Sequence, residues 1–275
     1  MSSQANEQGT RTVRQARGGM RVSAYILMDF WRNLRNFANS FFIIVLPTVL
    51  FLIFGVSADW NEFDLPDGTG NVSAHTMVGI AVYGAATATT SLAGSAAVEL
   101  QQGWGRQLAL TSMPHGMFVL AKSIIALVMA AFPVLLINLV GLFTATEMDP
   151  ERWIATALLT VVASLPFALY GLLAGLAFRS DAAVGAAAGL LVVLGFLGNN
   201  FFPLDGILLD IGRFTPMYGV TALARYPLTG GDILSTGEGT LGTDPLWALL
   251  LNIVAWSVVF TVGCFLLRRR STARR

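Results

Sequence analysis

An all-α membrane protein with six spans is predicted by three observations. Of its 275 residues, 55% are apolar and only 12% charged, against about 25% charged in a typical soluble domain. The charges leave six open windows, Asn36–Ala58, Gly68–Val98, Ser123–Thr146, Trp153–Phe178, Ala182–Leu204 and Pro245–Leu267. Each has the roughly 20 residues that a helix needs to cross the hydrocarbon core. Finally, the basic residues segregate. With the N-terminus inside, 14 of the 17 Lys and Arg fall in inner segments, and the outer ones keep Arg152, Arg213 and Arg225 with 12 of the 16 acids. Basic residues near span ends set orientation, so both termini are expected in the cytoplasm, and the charge pattern and Arg-rich composition point to a multi-pass protein of a bacterial plasma membrane.

Residues 1–20 are polar and basic and read as a disordered tail near anionic lipid. They lack the basic, apolar and small-residue regions of a signal peptide, so the first span is expected to target the chain. From 21 to 270 the chain reads as one transmembrane domain. Val22, Ile26, Phe30, Leu34 and Phe37 recur at three- and four-residue spacing with Arg21, Arg32 and Arg35 between them. They predict an interfacial amphipathic helix with this apolar side in the acyl boundary; the other reading is a plain flank of the first span.

The spans are expected near 38–58, 76–98, 118–143, 154–178, 183–203 and 245–267. Pro47, Pro133 and Pro166 mark kinks. Gly171 and Gly175, then Gly185 and Gly189, give the fourth and fifth spans small-xxx-small faces. With only Arg179-Ser180-Asp181 between them, these two spans are expected to form an antiparallel hairpin. Between the fifth and sixth spans, Ile207, Leu208, Ile211, Phe214, Met217, Tyr218, Val220, Leu223 and Ala224 predict one or two short helices on the outer leaflet, interrupted by Pro216.

Much chemistry is missing. Lys122, the single lysine, follows Ala121 rather than the glycine of a P-loop, and HExxH and GxSxG are absent. The chain is therefore not expected to be an enzyme. His75 and His115 are expected at opposite membrane faces as solvated interfacial histidines, and Cys264 has no partner cysteine, so no metal site is expected. No Asp, Glu, Lys or Arg lies mid-span, which argues against ion coupling. Polar residues in the spans are Asn138, Asn199, Asn200 and Asn252, candidates for pathway or helix-interface contacts.

The inner loop after the second span is the most informative stretch: Glu99-Leu100-Gln101-Gln102-Gly103-Trp104-Gly105-Arg106-Gln107-Leu108-Ala109-Leu110-Thr111-Ser112-Met113-Pro114. An acid ends the span, glycines permit a sharp turn, and a short amphipathic segment stops at Pro114. Such a segment across a span end suits docking by a soluble partner. The loop resembles that of type 2 permeases of ATP-binding-cassette (ABC) exporters, the drug and antibiotic efflux type included, at Glu99, Gly103, Leu108, Leu110, Thr111 and Pro114. Leu100 and Trp104-Gly105-Arg106 depart from the family's pattern, with Arg106 a plausible cationic partner for Glu99. Phe202-Pro203 and Thr215-Pro216-Met217-Tyr218 look like the family's outer segment.

The resemblance implies a six-span permease that exports an amphiphilic drug, antibiotic or lipid-like substrate by ATP-driven alternating access. It implies a cytoplasmic ABC ATPase that binds ATP and Mg, with no cofactor on this chain, and a second permease copy or paralogue forming a dimer in the bilayer; no nucleic acid is involved. Glu99, Gly103, Arg106, Leu108, Leu110, Thr111 and Pro114 would form the ATPase-coupling loop, and Phe202, Pro203, Pro216 and Tyr218 the outer segment. A polysaccharide or glycolipid exporter and a non-transporting assembly or sensor protein are the alternatives.

Overall fold

The computed structural model describes residues 22–36, 40–57, 59–66, 68–104, 115–235 and 240–272. Its helices are α1 (Val22–Arg35), α2 (Phe41–Val56), α3 (Val72–Glu99), α4 (His115–Gly141), α5 (Pro150–Ala163), α6 (Pro166–Phe178), α7 (Asp181–Leu197), α8 (Gly206–Arg213), α9 (Pro216–Thr229) and α10 (Leu246–Thr272). Four helical stretches are long and apolar enough to cross a membrane: Val72–Gln102, Ile124–Gly141, Pro150–Phe178 and Leu246–Arg269. Phe41–Val56 and Asp181–Leu197 are shorter apolar helices. Each charge-free window thus overlaps one apolar helical stretch.

The organising element is α3. It is rich in Ala, Gly, Ser and Thr, and His75 through Leu92 is buried without interruption. Small side chains let neighbouring backbones close in on every side. At Gly171 an added Cβ would lie 2.1 Å from the Thr90 carbonyl oxygen, and at Gly175 2.4 Å from that of Gly94. The small-residue face of α6 is therefore spent on α3. Gly185 and Gly189 of α7 have open space where a Cβ would go, so the two glycine pairs do not meet as a hairpin seam. The tight turn itself is present: Arg179 caps α6 in the left-handed conformation (φ 55°) and α7 starts at Asp181.

The prolines act differently from one another. Pro166 splits the predicted fourth span into α5 and α6, and α3 supplies donors at the break. Thr89 Oγ1 donates to the Ser164 carbonyl at 3.2 Å and Thr90 Oγ1 to that of Phe167 at 3.1 Å. Backbone carbonyls freed in a membrane helix need such partners. Pro133 stays inside a continuous α4, and an added Cβ on Gly84 would stand 2.9 Å from its ring. Pro47 lies in α2 between two π-helical stretches, Phe41–Val45 and Leu52–Val56.

The amphipathic helix α1 is a separate element, its C-terminal end tied by Ser40 Oγ donating to the Leu34 carbonyl at 2.6 Å. Its orientation corrects the sequence reading. Phe30 and Leu34 are half-buried, with Phe30 packed on a cluster of Ile43, Leu92, Ile125 and Met129. Among the described side chains of α1, the exposed apolar ones are Leu27, Met28 and Trp31; the side chains of Val22, Ile26 and Phe37 lie outside the described residues.

At the opposite end, α8 exposes Ile207, Leu208 and Ile211, and its C-cap Phe214 is exposed beside them, as for a helix lying on a leaflet. The next helix, α9, does not lie on the surface. Met217, Val220, Ala224 and Leu228 are buried, and Met217, Val220 and Ala224 join the main core with Tyr83 and Phe201. Pro216 starts this helix, with Thr215 capping it through the Tyr218 N–H, since a first-turn proline sacrifices no helical hydrogen bond. A small antiparallel hairpin follows, β1 (Asp232–Leu234) with β2 (Thr240–Thr243).

Candidate functional site

At the end of the bundle that carries Glu99, four charged side chains from three helices form an ion-pair cluster. Lys122 Nζ lies 3.0 Å from Asp29 Oδ2 and 3.0 Å from Glu99 Oε2. Arg32 bridges the same two carboxylates from the other side, 2.6 Å from Asp29 Oδ1 and in contact with Glu99 Oε1. Two cations thus alternate with two anions. Asp29 is 4% exposed, Lys122 13%, Glu99 23% and Arg32 57%. Opposite charges at 3–4 Å and low exposure attract strongly, and the alternation leaves the described cluster electrically neutral.

Local sequence explains the placement. Asp29 sits one position before Phe30, whose ring packs on the bundle, so the helix turn carries the carboxylate to the same buried side. Arg32 is one turn further on. Glu99 is the last residue of α3, and the chain continues as a π-helical turn, Leu100–Trp104. Gln101 Nε2 donates to the Gly175 carbonyl at 3.1 Å, which anchors the start of the loop to the end of α6.

Of the seven predicted coupling residues, Glu99 and Gly103 are placed, Gly103 within that turn. Arg106, Leu108, Leu110, Thr111 and Pro114 lie outside the described residues. The described partners of Glu99 are Arg32 and Lys122. Sequence reasoning did not single out Asp29. The signal that could have found it was an acid inside a basic helix, adjacent to its apolar face.

The predicted polar residues serve different ends. Asn138 donates within its own helix, to the Val134 carbonyl at 2.7 Å. Asn200 bridges helices, donating to the Gly79 carbonyl at 2.9 Å and accepting from Thr221 at 2.8 Å. Asn199 Oδ1 accepts from the Leu204 N–H at 3.1 Å. Asn252 on α10 donates to the carbonyls of Arg213 and Thr215 at 2.9 and 3.2 Å.

In the outer segment, Tyr218 donates its hydroxyl hydrogen to Asp244 at 2.5 Å, and Arg213 pairs with Asp244 at 3.3 Å. Burial and then the Asp244 carboxylate hold the Tyr218 hydroxyl well above its ordinary range. Phe202 packs on Phe196 at 5.8 Å between ring centroids, and Pro203 is half-buried beside it.

His75 departs from expectation. It is 3% exposed rather than solvated, and among the described residues its Nδ1 has no hydrogen-bond partner. Arg225, counted in the sequence as a loop cation, is also 3% exposed. The side chain of His115 lies outside the described residues. Among the described residues no group of three or more His, Cys, Asp or Glu could hold a metal ion.

No family model matches the chain. It is 24% identical over 252 residues to the protein named "Putative transport permease YvfS" from Bacillus subtilis (strain 168), a match covering 90% of this chain and 96% of that relative. The chain is similar to a transport permease. Its mostly helical fold and four span-length apolar helices agree with a multi-pass membrane protein.

Proposed function

We propose that this protein is the membrane-spanning permease subunit of an ATP-driven ABC exporter. In this reading the six apolar helical stretches cross a bacterial plasma membrane with both termini in the cytoplasm, and two permease subunits enclose the pathway. A separate cytoplasmic ATPase supplies the energy, and the cargo is an amphiphilic drug, antibiotic or lipid-like molecule. Similarity to a transport permease over most of the chain supports the transport role.

The observation that carries the reading furthest is the Asp29–Arg32–Glu99–Lys122 cluster. It joins the interfacial helix to the residues that flank the 99–114 loop. A push on that loop by a partner would meet α1, α3 and α4 as one braced unit rather than three loose ends. Gln101, bonded to the end of α6, extends the brace to a fourth helix. Mechanical transmission needs such a contiguous, stiff connection.

The test is co-expression with a candidate ABC ATPase, co-purification, and ATP-dependent flux of an amphiphilic dye in proteoliposomes. Transport that Glu99→Ala uncouples from ATP hydrolysis supports the reading. A chain that captures no ATPase and moves no dye or labelled glycan is an assembly or sensor protein instead. Flux of a labelled polysaccharide without dye flux overturns the cargo class alone.

A further inference from the structure

Away from the charge cluster, the least expected group is Arg225 on α9. It is 3% exposed, yet among the described residues it joins no ion pair. A buried guanidinium must find hydrogen-bond partners or be hydrated. Here it donates to three main-chain carbonyls: Nε to His75 at 2.8 Å, Nη1 to Asn199 at 2.5 Å and Nη2 to Asn200 at 2.9 Å. His75 stands in the first turn of α3, and the two asparagines follow the last turn of α7, where the helix dipole favours a cation.

Asn200 repeats the connection. It holds the Gly79 carbonyl of α3 and the Thr221 hydroxyl of α9, so α3, α7 and α9 are joined twice at one level. Gly79 is required there, because an added Cβ would stand 2.1 Å from Arg225 Nη2 and 2.2 Å from the Asn200 carbonyl oxygen.

Beside this joint is a cavity of about 20 Å³ lined by His75, Tyr218, Thr221, Arg225, Asp232 and Asp244, among others. That is room for one or two waters. The unpartnered His75 Nδ1 and the guanidinium, with three of its five N–H groups committed to carbonyls, give water several polar partners. The acids Asp232 and Asp244 and the cation Arg225 face the same space, so it suits a dipolar molecule better than a lone ion of either sign.

We propose that Arg225 is a hydratable latch that holds the outer ends of α3, α7 and α9 together, and that water entering the His75 cavity takes over its carbonyl bonds when that end opens. The opening belongs to the transport cycle only on the exporter reading above; the latch itself is tested without transport.

The test uses the full chain in membrane vesicles, with Cys264→Ala removing the native thiol and Ala222→Cys reporting on the cavity lining. A membrane-impermeant maleimide is applied to either face, and labelling rates are compared among Arg225, Arg225→Lys and Arg225→Met backgrounds. The expected result is labelling at least tenfold faster in Arg225→Met, with Arg225→Lys between it and the parent, since an ammonium keeps the charge but spans fewer carbonyls. If Arg225→Met does not accumulate as folded protein, the Arg225→Lys rate decides. Equal rates in folded variants overturn the latch. A wrong orientation would change the face that labels, not the ratio between variants, so failure of the topology is read separately.

Discussion

Lys122 Nζ stands 3.0 Å from Glu99 Oε2, so the helices on either side of the 99–114 loop are clasped by an ion pair. The clasp is completed by Asp29, which brings α1 into the same joint. Its members differ in exposure, and exposure decides what each contributes.

Asp29→Ala leaves Lys122 with Glu99 as its remaining described partner in a largely buried site. Breaking a buried pair typically costs about 3–5 kcal/mol, and the surviving Glu99 reduces this to about 2–3 kcal/mol. The loss is read as a fall in thermal midpoint in detergent. Arg32→Ala, removing a side chain 57% exposed, is expected to cost less than about 1 kcal/mol. Equal losses would show that the cluster does not act through burial.

Glu99→Ala and Gly103→Pro are expected to lower the transport-coupled ATPase activity of the assembled complex while leaving membrane insertion intact. Insertion is set by the apolar side chains of the spans, and Glu99 and Gly103 lie at and beyond the charged end of α3. Parental stimulation in both variants would remove the loop from the coupling path.

Gly171→Ala places a methyl group against the Thr90 carbonyl in a backbone-to-backbone contact, where nothing flexible can yield. The expected cost is about 1–3 kcal/mol, as for other overpacked interiors, seen as a lower midpoint and poorer accumulation. Gly185→Ala enters open space inside α7 and is expected to leave stability unchanged or to raise it by up to about 1 kcal/mol, as glycine's helix penalty is removed. The two alanines therefore form a matched pair for the packing of α6 on α3.

Tyr218→Phe removes the hydroxyl that donates to Asp244. A hydrogen bond to a charged group is worth about 1.5–3 kcal/mol, and because Asp244 keeps Arg213 the lower figure applies. Tyr218 also holds its proton above the usual range. Its stabilising contribution is present below about pH 10 and declines above it, where an unfolded tyrosine ionises and the folded one does not. Stability measured from pH 8 to 11 should fall less steeply in Tyr218→Phe than in the parent.

The bundle was legible because apolar windows free of charge are written directly in the side chains. The buried polar joints were not. Arg225 is held by carbonyls, which every residue carries, so no side-chain pattern announces it. Asp29 reads as a solvated charge until the side of α1 that docks is known. Of the two glycine pairs, Gly171 and Gly175 form the expected close-packing face, against α3, while Gly185 and Gly189 face open space. The Ala, Gly, Ser and Thr content of α3 was the overlooked signal. Arg106, Leu108, Leu110, Thr111 and Pro114 lie outside the described residues.

Of the four span-length helices, α3 is the least apolar and the most enclosed. A helix sheathed by its own chain gains little from lipid and much from neighbours. Its stay in the bilayer during synthesis therefore depends on helices made after it, because α4 and α6 supply much of the sheath. Biogenesis of this protein is thus expected to be cooperative, the central helix gaining most of its neighbours only after it is made.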